Sequence, residues 1–277
     1  MKKRKVKHSK NIKKTNKIIK KNVKVKSVKP KKANLTITKT KHKIEKIKRV
    51  STGILGLNKI TQGGFEQDST NLIVGETGSG KTIAAMQFII EGLRKKEVCM
   101  YLTFEEDKQE FYANMKELGW DLEKEEKGGK FFFLEYTPEK VKTMLEEGGG
   151  TVETLILSKK ITRVVFDSIT SFILLFETEV EKREAALSLF NMLRKWNCTA
   201  VLTYEGAPNR EKSTSRVLEF ESDSITLLYF LRDKKQRSRY LEVLKMRGTE
   251  HSTKIYPFSI KRNGIVLSGK PISGKLY

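Results

Sequence analysis

Gly75-Glu76-Thr77-Gly78-Ser79-Gly80-Lys81-Thr82 decides the fold, because it satisfies every defined position of the phosphate-cradling pattern G-x-x-x-x-G-K-[ST]. It follows the apolar run Leu72-Ile73-Val74 and leads into a helix-like segment over 83–93. Polyphosphate binding requires that strand–loop–helix setting. The glycines let backbone N–H groups wrap the anion, and the positive end of the new helix adds to the field. The expected cradle runs through Gly75, Glu76, Thr77, Gly78, Ser79, Gly80, Lys81, Thr82 and Ile83. Lys81 is placed to reach the β- and γ-phosphates, and the Thr82 hydroxyl to ligate Mg²⁺. The stretch implies a bound nucleoside triphosphate.

Outward from this loop, five apolar, strand-like runs (71–74, 98–104, 131–134, 163–166 and 199–203) alternate with helical segments. Such alternation predicts an α/β fold with a mostly parallel central sheet flanked by crossover helices. The clearest helix spans 179–196. Ala185, Ala186, Leu189, Met192, Leu193 and Trp196 recur at three- and four-residue spacing, with Glu181, Lys182, Arg183, Arg194 and Lys195 on the other face. That stripe predicts packing against the sheet. The segments 224–232, 239–246 and 255–260 alternate more and have short connections, which predicts antiparallel strands closing the sheet's edge.

Two further stretches carry chemistry. Arg163-Val164-Val165-Phe166-Asp167 is a β-branched run ending in an acid, as a buried strand delivering a carboxylate to a ligand edge must be. Asp167 is expected to share the Mg²⁺ shell with Thr82. Glu105 and Glu106 follow the strand after the cradle helix. If that strand neighbours the cradle strand, they face the γ-phosphate and can polarise an attacking water. Otherwise they only favour the N-terminus of the next helix.

The formal charge of +23 is concentrated at one end of the sequence. Residues 1–50 hold 22 of the 56 Lys and Arg but one of the 33 acidic residues, Glu45. The stretch 1–43 contains no Phe, Tyr or Trp and is expected to be a disordered basic tail, with the folded domain over 44–277. It could bind DNA, RNA or an anionic membrane through phosphates, or serve only as a solubilising tail; with no stacking side chains, nucleic-acid binding would be salt-sensitive and blind to sequence. No run of about eighteen apolar residues predicts a membrane span, and no apolar core follows the basic start as a secretory signal would need. Cys99 and Cys198 sit in apolar runs and read as buried thiols in a reducing cytoplasm.

Taken together, these stretches resemble the KaiC family of RecA-like ATPases, named for the circadian-clock protein. The resemblance covers roughly residues 44–268. It begins at Ser51-Thr52-Gly53-Ile54-Leu55-Gly56-Leu57-Asn58 and Gly63-Gly64-Phe65, similar to the family's T-G-I-x-G-L-D and G-G. It continues through the P-loop, Thr103-Phe104-Glu105-Glu106 and Asp167-Ser168. It ends at Leu244-Lys245-Met246-Arg247-Gly248-Thr249-Glu250-His251, nearly the family's K-M-R-G-x-x-H. The resemblance implies a RecA-like core in a ring, commonly a hexamer, that binds ATP with Mg²⁺ between neighbouring subunits. It implies that Glu105 and Glu106 activate water, and that Lys245 and Arg247 insert from the adjacent subunit onto the γ-phosphate.

Two departures bear on function. Asn58 stands where the family usually has Asp. Glu219-Phe220 stand near Ser222-Asp223 where the autophosphorylating clock domain has a Ser-Thr pair, so self-phosphorylation is not expected. The favoured reading is a cytoplasmic, slowly hydrolysing ATPase with a regulatory or signalling role. The alternatives are a recombinase-paralogue-like DNA-binding ATPase, using Arg210, Lys212 and Arg216 of the loop 206–216 with the tail, and a non-hydrolysing scaffold whose assembly is the output.

Overall fold

The computed structural model describes residues 47–206, 216–233 and 236–273. The expected tail over 1–43, the boundary at 44, and the loop basics Arg210 and Lys212 lie outside the described residues.

A short ribbon of β1 (Arg49–Val50) and β2 (Phe65–Glu66) encloses α1 (Leu55–Ile60). The main sheet then begins with β3 (Thr70–Gly75), followed by α2 (Lys81–Arg94), β4 (Cys99–Thr103), α3 (Lys108–Glu117), α4 (Leu122–Lys127) and β5 (Phe131–Glu135). Next come α5 (Pro138–Glu146), α6 (Gly150–Lys159), β6 (Arg163–Asp167), α7 (Ile169–Ile173), α8 (Glu179–Lys195) and β7 (Thr199–Glu205). The chain closes with α9 (Arg216–Glu221), β8 (Ser224–Asp233), β9 (Gln236–Met246), β10 (Tyr256–Lys261) and β11 (Gly264–Leu267). The nine-stranded sheet has the order β11-β10-β9-β8-β3-β7-β6-β4-β5.

From β5 through β8 every pairing is parallel, and from β8 through β11 every pairing is antiparallel. All five expected parallel strands form. The first C-terminal strand, β8, plays two parts: it pairs parallel with β3 and antiparallel with β9. It can do so because α9 intervenes between β7 and β8, and a parallel return needs a crossover. One condition, on which the reading of Glu105 and Glu106 turned, is not met. β4 does not neighbour β3, since β7 and β6 lie between them.

Strand alternation sorts side chains into two cores, one on each face of the sheet. Leu72, Val74, Met100, Leu102, Val164, Phe166, Ala200 and Leu202 meet α5 to α9 on one face. Ile73, Cys99, Tyr101, Val165, Val201 and Leu228 meet α1 to α4 on the other. In α8 the expected stripe is buried in full, with Phe190 added to it. The helix opens on a capping box: the Thr178 side chain accepts from the Glu181 N–H, and the Glu181 carboxylate accepts from the Thr178 N–H. Both cysteines are buried thiols, and burial pushes each up to about 12.

The leading motif is structural. Asn58 Oδ1 accepts from the Thr52 N–H at 2.9 Å and its hydroxyl at 2.7 Å, while Nδ2 donates to Ser51 Oγ at 2.8 Å. The amide thus supplies a donor that the family's usual Asp lacks. Behind this loop sits Arg163, fully buried at the start of β6. Its guanidinium donates to both oxygens of Glu97 (2.6 and 3.1 Å) and to the carbonyls of Ser51 and Phe88 (2.7 and 2.9 Å). It also stacks over the Phe88 ring at 4.6 Å. One cation therefore ties the leading loop, α2 and β6 together.

Arg163→Ala leaves the Ser51 and Phe88 carbonyls without their donor and empties a packed site, while the partly exposed Glu97 can turn to water, so the unfolding free energy should fall by about 2–4 kcal/mol in urea titrations. Burial pushes the Glu97 carboxyl up, but the Arg163 hydrogen bond and charge outweigh it and hold the group below its usual range. The stabilisation from Glu97 is thus complete above the ordinary carboxylate range and lost as pH falls through the lower folded value. Stability curves of the unmodified chain and Glu97→Gln should converge on acidification; a constant gap would exclude this linkage.

Candidate functional site

The C-terminal ends of the parallel strands meet along one edge of the sheet, and the cradle rises from it. In the parallel register Gly75 stands beside Glu205, Phe166 beside Leu202, and Thr103 beside Asp167. Sequence-distant residues are thereby brought level.

The P-loop is tightly built. A Cβ on Gly75 would meet Ser79 Oγ at 2.4 Å and the Leu228 carbonyl at 2.7 Å, so only glycine fits there. Gly80 takes a left-handed φ of 103° as the N-cap of α2, and no side chain caps that end. First-turn N–H groups have no partners within a helix, so they are available to an anion. Ser79 Oγ is buried with no hydrogen-bond partner among the described residues. Arg239 of β9 donates to the Gly78 carbonyl from Nε and Nη2 (3.1 and 3.0 Å) while lying over the Phe230 ring at 4.2 Å. The Lys81 ammonium donates to the Glu76 carbonyl at 3.1 Å. Burial lowers the Lys81 pKa, and the charges of Glu205, Asp167, Glu105 and Glu76 offset part of that.

Asp167 ends β6 almost fully buried, and hydroxyls hold both its oxygens. Tyr101 of β4 donates to Oδ2 and Thr203 of β7 to Oδ1. Burial, and then the Asp167 charge, push the Tyr101 phenol well up, which keeps it a donor. Glu105 and Glu106 turn off the end of β4, their N–H groups bonded to Thr103 Oγ1 at 3.3 and 3.1 Å. The Glu105 carboxylate accepts from Ser171 Oγ. Burial, followed by Asp167 and the neighbouring glutamates, raises the Glu106 carboxyl. Although β4 lies three places from β3, the acids still reach the site region: Glu105 bears on Lys81 and Asp167 on Glu106.

Lys245 and Arg247 are not brought to this edge. Ser224 is level with Asn71 and Met246 with Ser224, so the pair lies at the opposite end of β3 from Gly75. There Lys245 Nζ donates to the carbonyls of Glu219, Phe220 and Ser222 (2.7, 3.1 and 2.7 Å), closing the last turn of α9. Arg247 donates to the Phe220 carbonyl at 2.6 Å and approaches Asp223 at 3.5 Å. Burial, then the Arg247 charge, lowers the Lys245 pKa.

Glu205, Tyr101, Thr203, Ser171 and Arg239 join the site without having been singled out in the sequence. For Glu205 a signal existed: like Asp167, it is an acid closing a β-rich run, Thr199-Ala200-Val201-Leu202-Thr203-Tyr204-Glu205. The others needed the strand order.

The residues present fit a triphosphate and its cation. The glycine-only root of the loop, the helix end without a side-chain cap and the orphaned Ser79 hydroxyl form a cradle for an anion. Thr82 and Asp167 offer the oxygen donors that a hard cation takes. Among the described residues no group of three or more His, Cys, Asp or Glu could hold a metal ion.

Comparison with known proteins agrees with this geometry. The family model described as "ATPase: KaiC" matches residues 50–271. The circadian clock protein KaiC3 of Synechocystis is 30% identical over 230 residues, covering 80% of this chain and 46% of that relative. The circadian clock oscillator protein KaiC of Synechococcus elongatus is 30% identical over 241 residues, covering 84% and 46%. The chain thus spans about half the length of these curated relatives. The crystal structure of a KaiC-like protein from Pyrococcus horikoshii OT3 superposes with a TM-score of 0.72 at 33% identity, covering 80% of this chain and all of that one. With its RecA-like core and a single such domain, the chain belongs to the KaiC family of ATPases.

Proposed function

We propose that the chain is a Mg²⁺-dependent ATP hydrolase acting at sites shared between copies of itself in a ring, a hexamer by family habit. The observation that carries this reading is the convergence of Lys81, Asp167, Glu105 and Glu106 on one sheet edge, with Thr82 next in the chain to Lys81, while Lys245 and Arg247 stand at the other. A hydrolase needs cations where phosphoryl charge develops. The chain's own pair faces away from its own cradle, as it must if each copy serves a neighbour.

In this scheme the loop N–H groups and Lys81 bind and orient the polyphosphate. Mg²⁺, held by Thr82 and Asp167, would neutralise charge on the phosphate oxygens. Tyr101 and Thr203 fix the Asp167 carboxylate in one orientation. Glu105, oriented by Ser171, and Glu106, whose raised pKa suits it to taking a proton, are the candidates for activating water. Lys245, its three protons already given to carbonyls, braces α9 so that Arg247 is presented outward.

The clock titles of the relatives support a regulatory role, and a cytoplasmic location is part of the proposal. No helix among the described residues is long and apolar enough to cross a membrane. Self-phosphorylation is not part of the proposal, since α9 carries Glu219 and Phe220 where a hydroxyl pair would be required. The DNA-binding alternative rests on the tail, Arg210 and Lys212, which lie outside the described residues, and on Arg216, which opens α9 rather than lying in a loop; no described feature favours it.

Two experiments test this reading. The double variant Glu105→Gln, Glu106→Gln should bind ATP normally yet release phosphate at least ~100-fold more slowly; undiminished turnover would remove both acids from the mechanism. Separately, Lys81→Ala and Arg247→Ala should each be inactive alone. Mixed in equal amounts with Mg-ATP, they should recover about a quarter of normal turnover, the share of interfaces joining an intact loop to an intact Arg247. Failure to recover activity, with assembly verified by light scattering, would place Arg247 outside the shared site.

A further inference from the structure

Glu205 has no part in the scheme above, yet it sits at the root of the cradle. It is the last residue of β7, directly beside Gly75 in the parallel register. Its backbone is pinned, since the N–H donates to Thr170 Oγ1 at 2.7 Å. Its carboxylate accepts a hydrogen bond from the hydroxyl of Thr77, in the middle of the loop. It also stands first among the charges that bear on Lys81, ahead of Asp167, Glu105 and Glu76.

The other carboxylates of the site are held differently. Asp167 is fixed by Tyr101 and Thr203, and Glu105 by Ser171, all from outside the cradle. Among the described residues, the side-chain donor to Glu205 is a member of the cradle itself. A polyphosphate seated on the loop would therefore meet an anion already bonded to it. The surround is acid-rich as well: Glu76, Glu105, Asp167 and Glu205 all bear on Lys81, and Asp167 and Glu105 bear on Glu106. Like charges at this range oppose one another in proportion to how poorly water screens them.

We propose that Glu205 is a positioning residue that sets the affinity of the cradle by competing with the incoming phosphate for Thr77 and for the field of Lys81. Its carboxylate swings off Thr77 when a triphosphate seats. The competition is stiffest for the metal-free triphosphate, which carries more negative charge than its Mg²⁺ complex. This rests on the nucleotide-binding part of the proposed function and adds to it a residue whose removal strengthens binding.

The test is a fluorescence-anisotropy titration of the full chain with a fluorescent ATP analogue, in EDTA and in excess Mg²⁺. Glu205→Gln keeps the size and an acceptor for Thr77 but loses the charge. It should bind the metal-free analogue about tenfold more tightly than the unmodified chain, the effect of one neighbouring like charge, and show a smaller gain with Mg²⁺. Glu205→Ala, which cannot form the hydrogen bond, must move the same way. Damage to the fold weakens binding, so a gain is a readout that a merely structural role would not give. Equal or weaker binding in both variants, with the unmodified chain binding normally, overturns the role of Glu205 alone. Absence of binding in all three proteins would sink the nucleotide reading with it.

Discussion

Everything at the candidate site depends on the register of four neighbouring parallel strands. The pairings of β3 with β7, β7 with β6 and β6 with β4 bring Gly75, Glu205, Asp167 and Thr103 out along one edge. A slip of one residue in any pairing would turn that strand's side chains to the opposite face. The two cores prevent such a slip, because each strand inserts alternate residues into a different one. Burial on both faces, rather than any property of the loop, is what aims the acids at the cradle.

The same edge concentrates unlike demands. Tyr101 and Thr203 immobilise Asp167 from both neighbouring strands, leaving its charge in place while restricting its rotation. Glu106 is pushed towards protonation by burial and by that charge. Two kinds of carboxylate thus arise at one sheet edge, one fixed by hydroxyl donors and one made more basic by its surroundings. Such separation of environments is how acid–base roles are divided in a single pocket.

Much of this was legible in the sequence, and the part that was not has a common cause. The P-loop, the run into Asp167 and the stripe on α8 are local patterns, set by spacing along a single element. The place of β4 in the sheet was not legible, because strand order is a matter of crossovers rather than of any one run. Arg163 read as one more basic residue beside an apolar run. Its burial against Glu97, Ser51 and Phe88 needs partners up to 112 positions away. The carbonyl-saturated state of Lys245 could not be read either, since it depends on how α9 ends above β9.

Strand β9 carries Arg239 against its own cradle and delivers Arg247, one residue past its end, to the far margin of the sheet. Seven residues separate them, roughly 25 Å of backbone that is laddered on both sides over part of its length and interrupted by one register shift near Leu244. The strand therefore behaves as a ruler. The span between the cradle and Arg247 is thus set by the length of one strand.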